Sequence, residues 1–121
     1  MFPPIFQLCA SNDQVKALIG SNPTRLYLFG EADENTQYPF VVWQMINGEP
    51  NNTLNCRPSS DNYTVQIDCY AKTANDARAV AQAIRDALEG DAYVTIWNGE
   101  FRDSETKDYR YSFDVDFITY R

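Results

Sequence analysis

The stretch Asp61–Leu88, DNYTVQIDCYAKTANDARAVAQAIRDAL, changes its period at Thr73, and that change decides the fold. Before it, Val65, Ile67 and Cys69 alternate with Thr64, Gln66, Asp68 and Tyr70, the period-two pattern of a strand with one buried face. Thr73 and Asp76 have the spacing of a capping box, with the Thr hydroxyl accepting from the N3 amide. Beyond the cap Ala77, Val80, Ala81, Ile84 and Leu88 recur at helical spacing, giving an amphipathic helix of roughly four turns. Gly90 is the expected C′ residue, where a positive φ meets no Cβ clash. Neither apolar face is stable in water alone, so the helix must fold back onto a sheet.

Upstream, about Pro4 to Ile19 reads as helix in two pieces. Ile5, Phe6, Leu8 and Cys9 begin it, and Ser11 with Gln14 restarts it as a second capping box before Val15, Leu18 and Ile19. Gly20 and Pro23 end it. Leu26–Phe29 is a short strand or an extended connector, and the acidic Gly30–Gln37 is a surface loop. Phe40–Ile46 is apolar apart from Gln44, so both faces of that strand should be covered. One cover is the helix layer; the other is a second layer, for which the chain has little material, or a neighbouring subunit. Glu49–Ser60, EPNNTLNCRPSS, lacks any period and is long for a connection inside a domain, so it is expected to project as an arm.

Downstream, Ala92–Phe101 and Tyr109–Tyr120 form a second strand pair. Phe113, Val115 and Phe117 share one face, and Ser112, Asp114 and Asp116 the other. Asn98-Gly99 can serve as a hairpin turn. A bulge there is preferred, with the turn in Asp103–Asp108, because that leaves two long matched strands. The fold class is therefore α+β: a mainly antiparallel sheet of about four or five strands with two helical segments packed on one face. The other face is expected to be polar and acidic.

The 121 residues make a single domain, large enough for a core without disulfides. A net charge of −7 repels nucleic acid, which argues against DNA binding through a whole face. Cys9, Cys56 and Cys69 show no metal or redox spacing and read as reduced thiols of a cytosolic protein, with Cys69 on a core face. The early Pro3-Pro4 and the lack of a basic leader argue against a signal peptide, and no apolar run reaches bilayer length. Two glycosylation sequons, at Asn51 and Asn62, mean little without secretion.

Catalytic chemistry finds little support. The chain contains no histidine, which removes the usual general base and the commonest metal ligand. Asp114 and Asp116 read as a solvated strand face rather than an acid/base pair, and Asp33-Glu34 lacks calcium-loop spacing. The glycines lie singly, so no phosphate loop is present. Cys56 beside Arg57 has no histidine to pair with and reads as a bystander thiol. No enzyme, cofactor or metal is expected. Trp43 and Trp97 read as core or interface residues, and Arg57 as a solvated side chain unless a partner covers it.

The ordered segments VKALIG, RLYLFGE, YPFVVWQ, NCRP, VQIDCYAKTANDAR and WNGEFRDSETKDYRYSFDVDF, from about Leu8 to Phe117, resemble the tail-completion (tail-terminator) proteins of long-tailed bacteriophages. The resemblance implies a structural virion protein made in the bacterial cytoplasm. Members form a ring, typically hexameric, on the head-proximal end of the tail tube, stop its polymerisation and present the surface that the head connector binds. The implied partners are further copies of the chain, the major tail tube protein and the connector, with DNA passing through the lumen unbound and no membrane involved. Leu54 and Arg57 on the arm, with Val41 and Trp43, are the expected subunit interface. Arg102, Glu105 and Lys107 are expected at an axial contact, and Asp68, Asp114 and Asp116 facing the lumen. The alternative is another joining protein of the virion neck, or a small binding module outside phages.

Overall fold

The computed structural model describes residues 2–33 and 35–121. Glu34, paired with Asp33 in the reading above, lies outside them. The decisive stretch folds as its period change requires: strand Ser60–Ala71 runs into helix Ala74–Leu88. Thr73 caps that helix, its Oγ1 accepting from the Asp76 amide at 3.1 Å. Numbered along the chain, the helices are α1 (Ile5–Ala10), α2 (Asp13–Ile19) and α3 (Ala74–Leu88). The strands are β1 (Leu26–Leu28), β2 (Phe40–Pro50), β3 (Ser60–Ala71), β4 (Ala92–Arg102) and β5 (Tyr109–Tyr120).

Among the described residues the strands form one five-stranded sheet in the order β1-β2-β3-β5-β4. Only the short β1 is parallel to its neighbour; the other pairings are antiparallel. The fold is thus α+β as expected, with the N-terminal helical segment in its two pieces and α3 on one face. The core lies between them. Val41, Val65, Ile67, Cys69, Phe113 and Val115 face Ile5, Cys9, Val15, Ile19, Val80 and Ile84, all of them fully buried. Each large side chain so enclosed contributes roughly 1.5–3 kcal/mol before its ordering entropy. Burial pushes the Cys9 thiol up to about 12 and Cys69 well above its ordinary value, so both are inert packing residues.

Three local expectations are corrected. The second capping residue is Asn12, not Ser11: Asn12 is extended, and its Oδ1 accepts from the Gln14 and Val15 amides at 3.0 and 3.1 Å. Ser11 instead closes α1, its hydroxyl donating to the Gln7 carbonyl at 2.9 Å. Gly90 does not take a positive φ, because Glu89 continues the right-handed turn and bonds Arg85. Finally β2 runs on through Gly48, Glu49 and Pro50, so the expected arm shrinks to Asn51–Ser59. Gly48 is a strand residue because the Tyr63 ring lies across it; an added Cβ would come within 2.9 Å of that ring. Pro50 is tolerated because it ends the strand.

The second hairpin follows its expectation. Its turn is Asp103–Asp108, and the ladder slips at Trp97/Gly99, where Gly99 has a φ of 115°.

Candidate assembly surfaces

The two long hairpins end in different turns. Beyond Pro50 the β2–β3 connection is held at its root, where the Asn51 amide donates to the Ser60 carbonyl at 3.0 Å. A lone Thr53–Cys56 bridge narrows its tip, with Asn55 at a positive φ of 66°. Leu54 stands on that tip with 91 % of its surface exposed, and Cys56 and Arg57 are exposed beside it. Below the root, Arg121 makes a two-pronged pair with Asp61 at 2.8 and 2.9 Å. The hydrogen bond from Arg121 holds the Asp61 carboxyl below its ordinary value.

The β4–β5 turn is tied at its tip. Asp103 Oδ1 accepts from the Glu105 and Thr106 amides at 2.8 and 3.1 Å. Asp108 accepts from Tyr38 and, at 3.1 Å, from Lys72, whose ammonium also sits 4.2 Å from the centre of the Tyr38 ring. Burial raises the Asp108 carboxyl, but the hydrogen bonds from Tyr38, Lys72 and Thr106 outweigh it and leave it low. Burial, then the Asp108 bond, pushes the Tyr38 hydroxyl up to about 12. Arg102, Glu105 and Lys107, the expected axial contact, are all exposed around this turn.

Of the four residues expected at a subunit interface, Leu54 and Arg57 are accessible and Trp43 is half-buried. Val41 is not available: it points into the helix layer opposite Cys69 and is fully buried, so that expectation is withdrawn. The covering of Phe40–Ile46 on both faces is also incomplete. β1 pairs only as far as Trp43, and past it Met45 and Ile46 stay exposed. The three carboxylates expected at a lumen share the helix-free face in different environments. Asp116 accepts from Thr64 Oγ1 and Asp114 from Asn98 Nδ2, each at 2.8 Å, and both remain half-exposed. Asp68 is only 9 % exposed, screened by its neighbours and bonded by Gln66 at 3.2 Å, so it presents little charge to solvent.

The far margin of the sheet was not anticipated as a surface. On β4, Tyr93, Ile96, Trp97 and Phe101 are exposed. Between β4 and α3 runs a groove of about 530 Å³ lined by Arg78, Gln82, Arg85, Trp97, Glu100 and Tyr111. Trp97 floors it, its ring edge-on to Tyr111 at 5.5 Å, while Arg78 grips Glu100 from the helix side. The available signal was that apolar residues of β4 do not alternate cleanly. Residue type alone left Trp97 between core and interface. Among the described residues no group of three or more metal-ligating side chains is gathered, and no helix is long and apolar enough to cross a membrane.

The one-layer sheet carries its helices on one face and leaves apolar margins and a bare hairpin tip exposed, surfaces of the kind that contact other proteins. The sequence matches the family described as "Tail completion protein gp17" over residues 3–120. The chain belongs to this family, and with it to the structural proteins of phage-type tails. Among solved structures it is similar to a chain from a particle described as the virion of a native gene transfer agent. The likeness has a TM-score of 0.75 and 14 % identity, covering 97 % of this chain and 92 % of that one, and it speaks for the fold. Among curated protein sequences none matches.

Proposed function

We propose that this chain caps the head-proximal end of the tail tube as a closed ring of copies, stops tube growth there and offers the surface on which the head is joined. Membership of the tail-completion family supports the place of action. The structural observation that carries the ring is β2, whose Met45 and Ile46 stay bare because β1 ends at Leu28. A protomer that leaves such a strand open completes its packing against a neighbour.

In this reading Leu54 and Arg57 on the hairpin tip reach an adjacent protomer, and Trp43 borders the contact. Arg102, Glu105 and Lys107 meet the tube or the connector along the ring axis. Asp114 and Asp116 look into the channel, with Asp68 behind them, and their charge keeps passing DNA from adhering within about 8–10 Å. No cofactor takes part, and the protein acts at the neck of the virion.

The test is a tail-assembly reaction in which the chain is omitted and then restored. Without it, tubes should run past their normal length and fail to join heads. With it they should end in a ring visible by electron microscopy. Tubes of normal length that join heads without the chain would overturn the reading.

A further inference from the structure

The exposed apolar side chains concentrate on opposite margins of one sheet. On the β1–β2 margin they are Phe29, Met45 and Ile46, continued by Phe2 and Phe6 around a cleft that Trp43 closes. On the β4 margin they are Ile96, Trp97, Tyr93 and Phe101. These surfaces differ, and β3 and β5 stand between them. A symmetric dimer buries one surface against itself and would leave the other margin bare. Two unlike surfaces on opposite sides fit a head-to-tail contact, in which every copy uses both.

The strand register places the two margins at one height. Trp43 pairs with Ile67, Ile67 with Phe113 and Phe113 with Trp97, so a single row crosses the sheet from one margin to the other. Phe29 belongs to that row as well, its amide donating to the Trp43 carbonyl at 2.9 Å. Copies joined margin to margin at equal height advance little along the strand direction, which favours closure over a climbing filament.

Carboxylates stand on one margin and arginines on the other. Next to Phe29, Glu31 and Asp33 are exposed and form no ion pair with any described residue. The groove beside Trp97 carries Arg78, paired with Glu100, and Arg85, paired with Asp86 at 2.9 Å and Glu89 at 3.6 Å, so carboxylates of a neighbouring copy would compete for partly exposed guanidinium groups. The slips in the β4 ladder at Val94/Ile96 and Trp97/Gly99 disrupt its edge for strand pairing, so side chains rather than a shared sheet carry the contact.

We propose that the Phe29–Met45–Ile46 margin of one copy, with Glu31 and Asp33, docks on the groove floored by Trp97 of the next, beside its Arg78 and Arg85. This rests on the ring reading and names the surfaces that meet.

The test uses two variants of the full chain, Phe29→Asp and Trp97→Asp, with Gln82→Trp, which fills the groove from an exposed helix position, as a second groove variant in case Trp97→Asp fails to fold. Each is compared with wild type by native mass spectrometry alone and by electron microscopy on tail tubes, in whichever condition wild type assembles. Each single variant should lose self-association by at least about tenfold. Mixing a margin variant with a groove variant should restore one good contact only, giving a pair that cannot grow. The double reversal Glu31→Arg, Asp33→Arg should weaken assembly severalfold at low salt, with a smaller loss near 1 M.

Folded variants that assemble like wild type would overturn these surfaces and leave the ring standing. So would variants that still form rings but no longer bind tubes. Loss in both singles with no pair on mixing would overturn the head-to-tail arrangement. A wild type that neither self-associates nor engages tubes would instead sink the ring reading itself.

Discussion

The two hairpin turns differ in where they are fixed. The β4–β5 turn is secured at its tip: Asp103 gathers its own amides, and Asp108 bonds Tyr38 and Lys72 from two other connections. The β2–β3 turn is secured at its root by Asn51, Ser60 and the Asp61–Arg121 pair, and it leaves Leu54 standing in water. A charged turn held in one shape presents a fixed pattern to a partner. A narrow tip crowned by a bare leucine gains burial only from a partner. The difference teaches that exposure means opposite things in the two places.

The comparison breaks most readily at Asp108. Asp108→Ala removes the acceptor shared by Tyr38 and Lys72 and leaves the Tyr38 hydroxyl without it. The expected loss, read by urea denaturation, is roughly 1–2 kcal/mol, kept low because the Lys72 end is exposed. No loss would mean the turn is not held by that junction.

A pH series sharpens the contrast. Asp61 and Asp108 both have carboxyls held below their ordinary value. A depressed carboxyl contributes stability above its unfolded pKa of about 3.9, and that contribution is lost as pH falls through the lower folded value. Denaturation midpoints should therefore decline from about pH 4 downward. Asp61→Asn and Asp108→Asn should each flatten part of that decline.

The smallest effect is expected at Leu54. Leu54→Ser should change stability by no more than about 0.5 kcal/mol while weakening ring formation on tail tubes. A large loss of stability would show the tip to be packed after all.

What could be read from the residues alone follows a physical line. Thr73 was legible because a cap works through its immediate neighbours, and so was the bulge at Asn98-Gly99, which only hairpin matching requires. Asn12 was missed because Ser11 offers the same chemistry one residue earlier; backbone conformation chose between them. The length of β2 was missed because the stretch from Glu49 onward shows no period. A tyrosine on the next strand, unreadable from β2 itself, keeps Gly48 in the ladder. Val41 shows the limit for the site: an unbroken apolar run says that cover is needed but not which side chain its own helices supply. Trp97 shows the converse, since residue type does not reveal which strand lies at an edge.

The meeting of Tyr38, Lys72 and Asp108 is a rivet through three separate connections. One comes from β1, one leads into α3, and one is the turn of the second hairpin. Pulling on that turn must drag the segment that bears Glu31 and Asp33 or shear the rivet. In a ring joined as proposed, a tug on that turn would be felt at the seam between neighbouring copies.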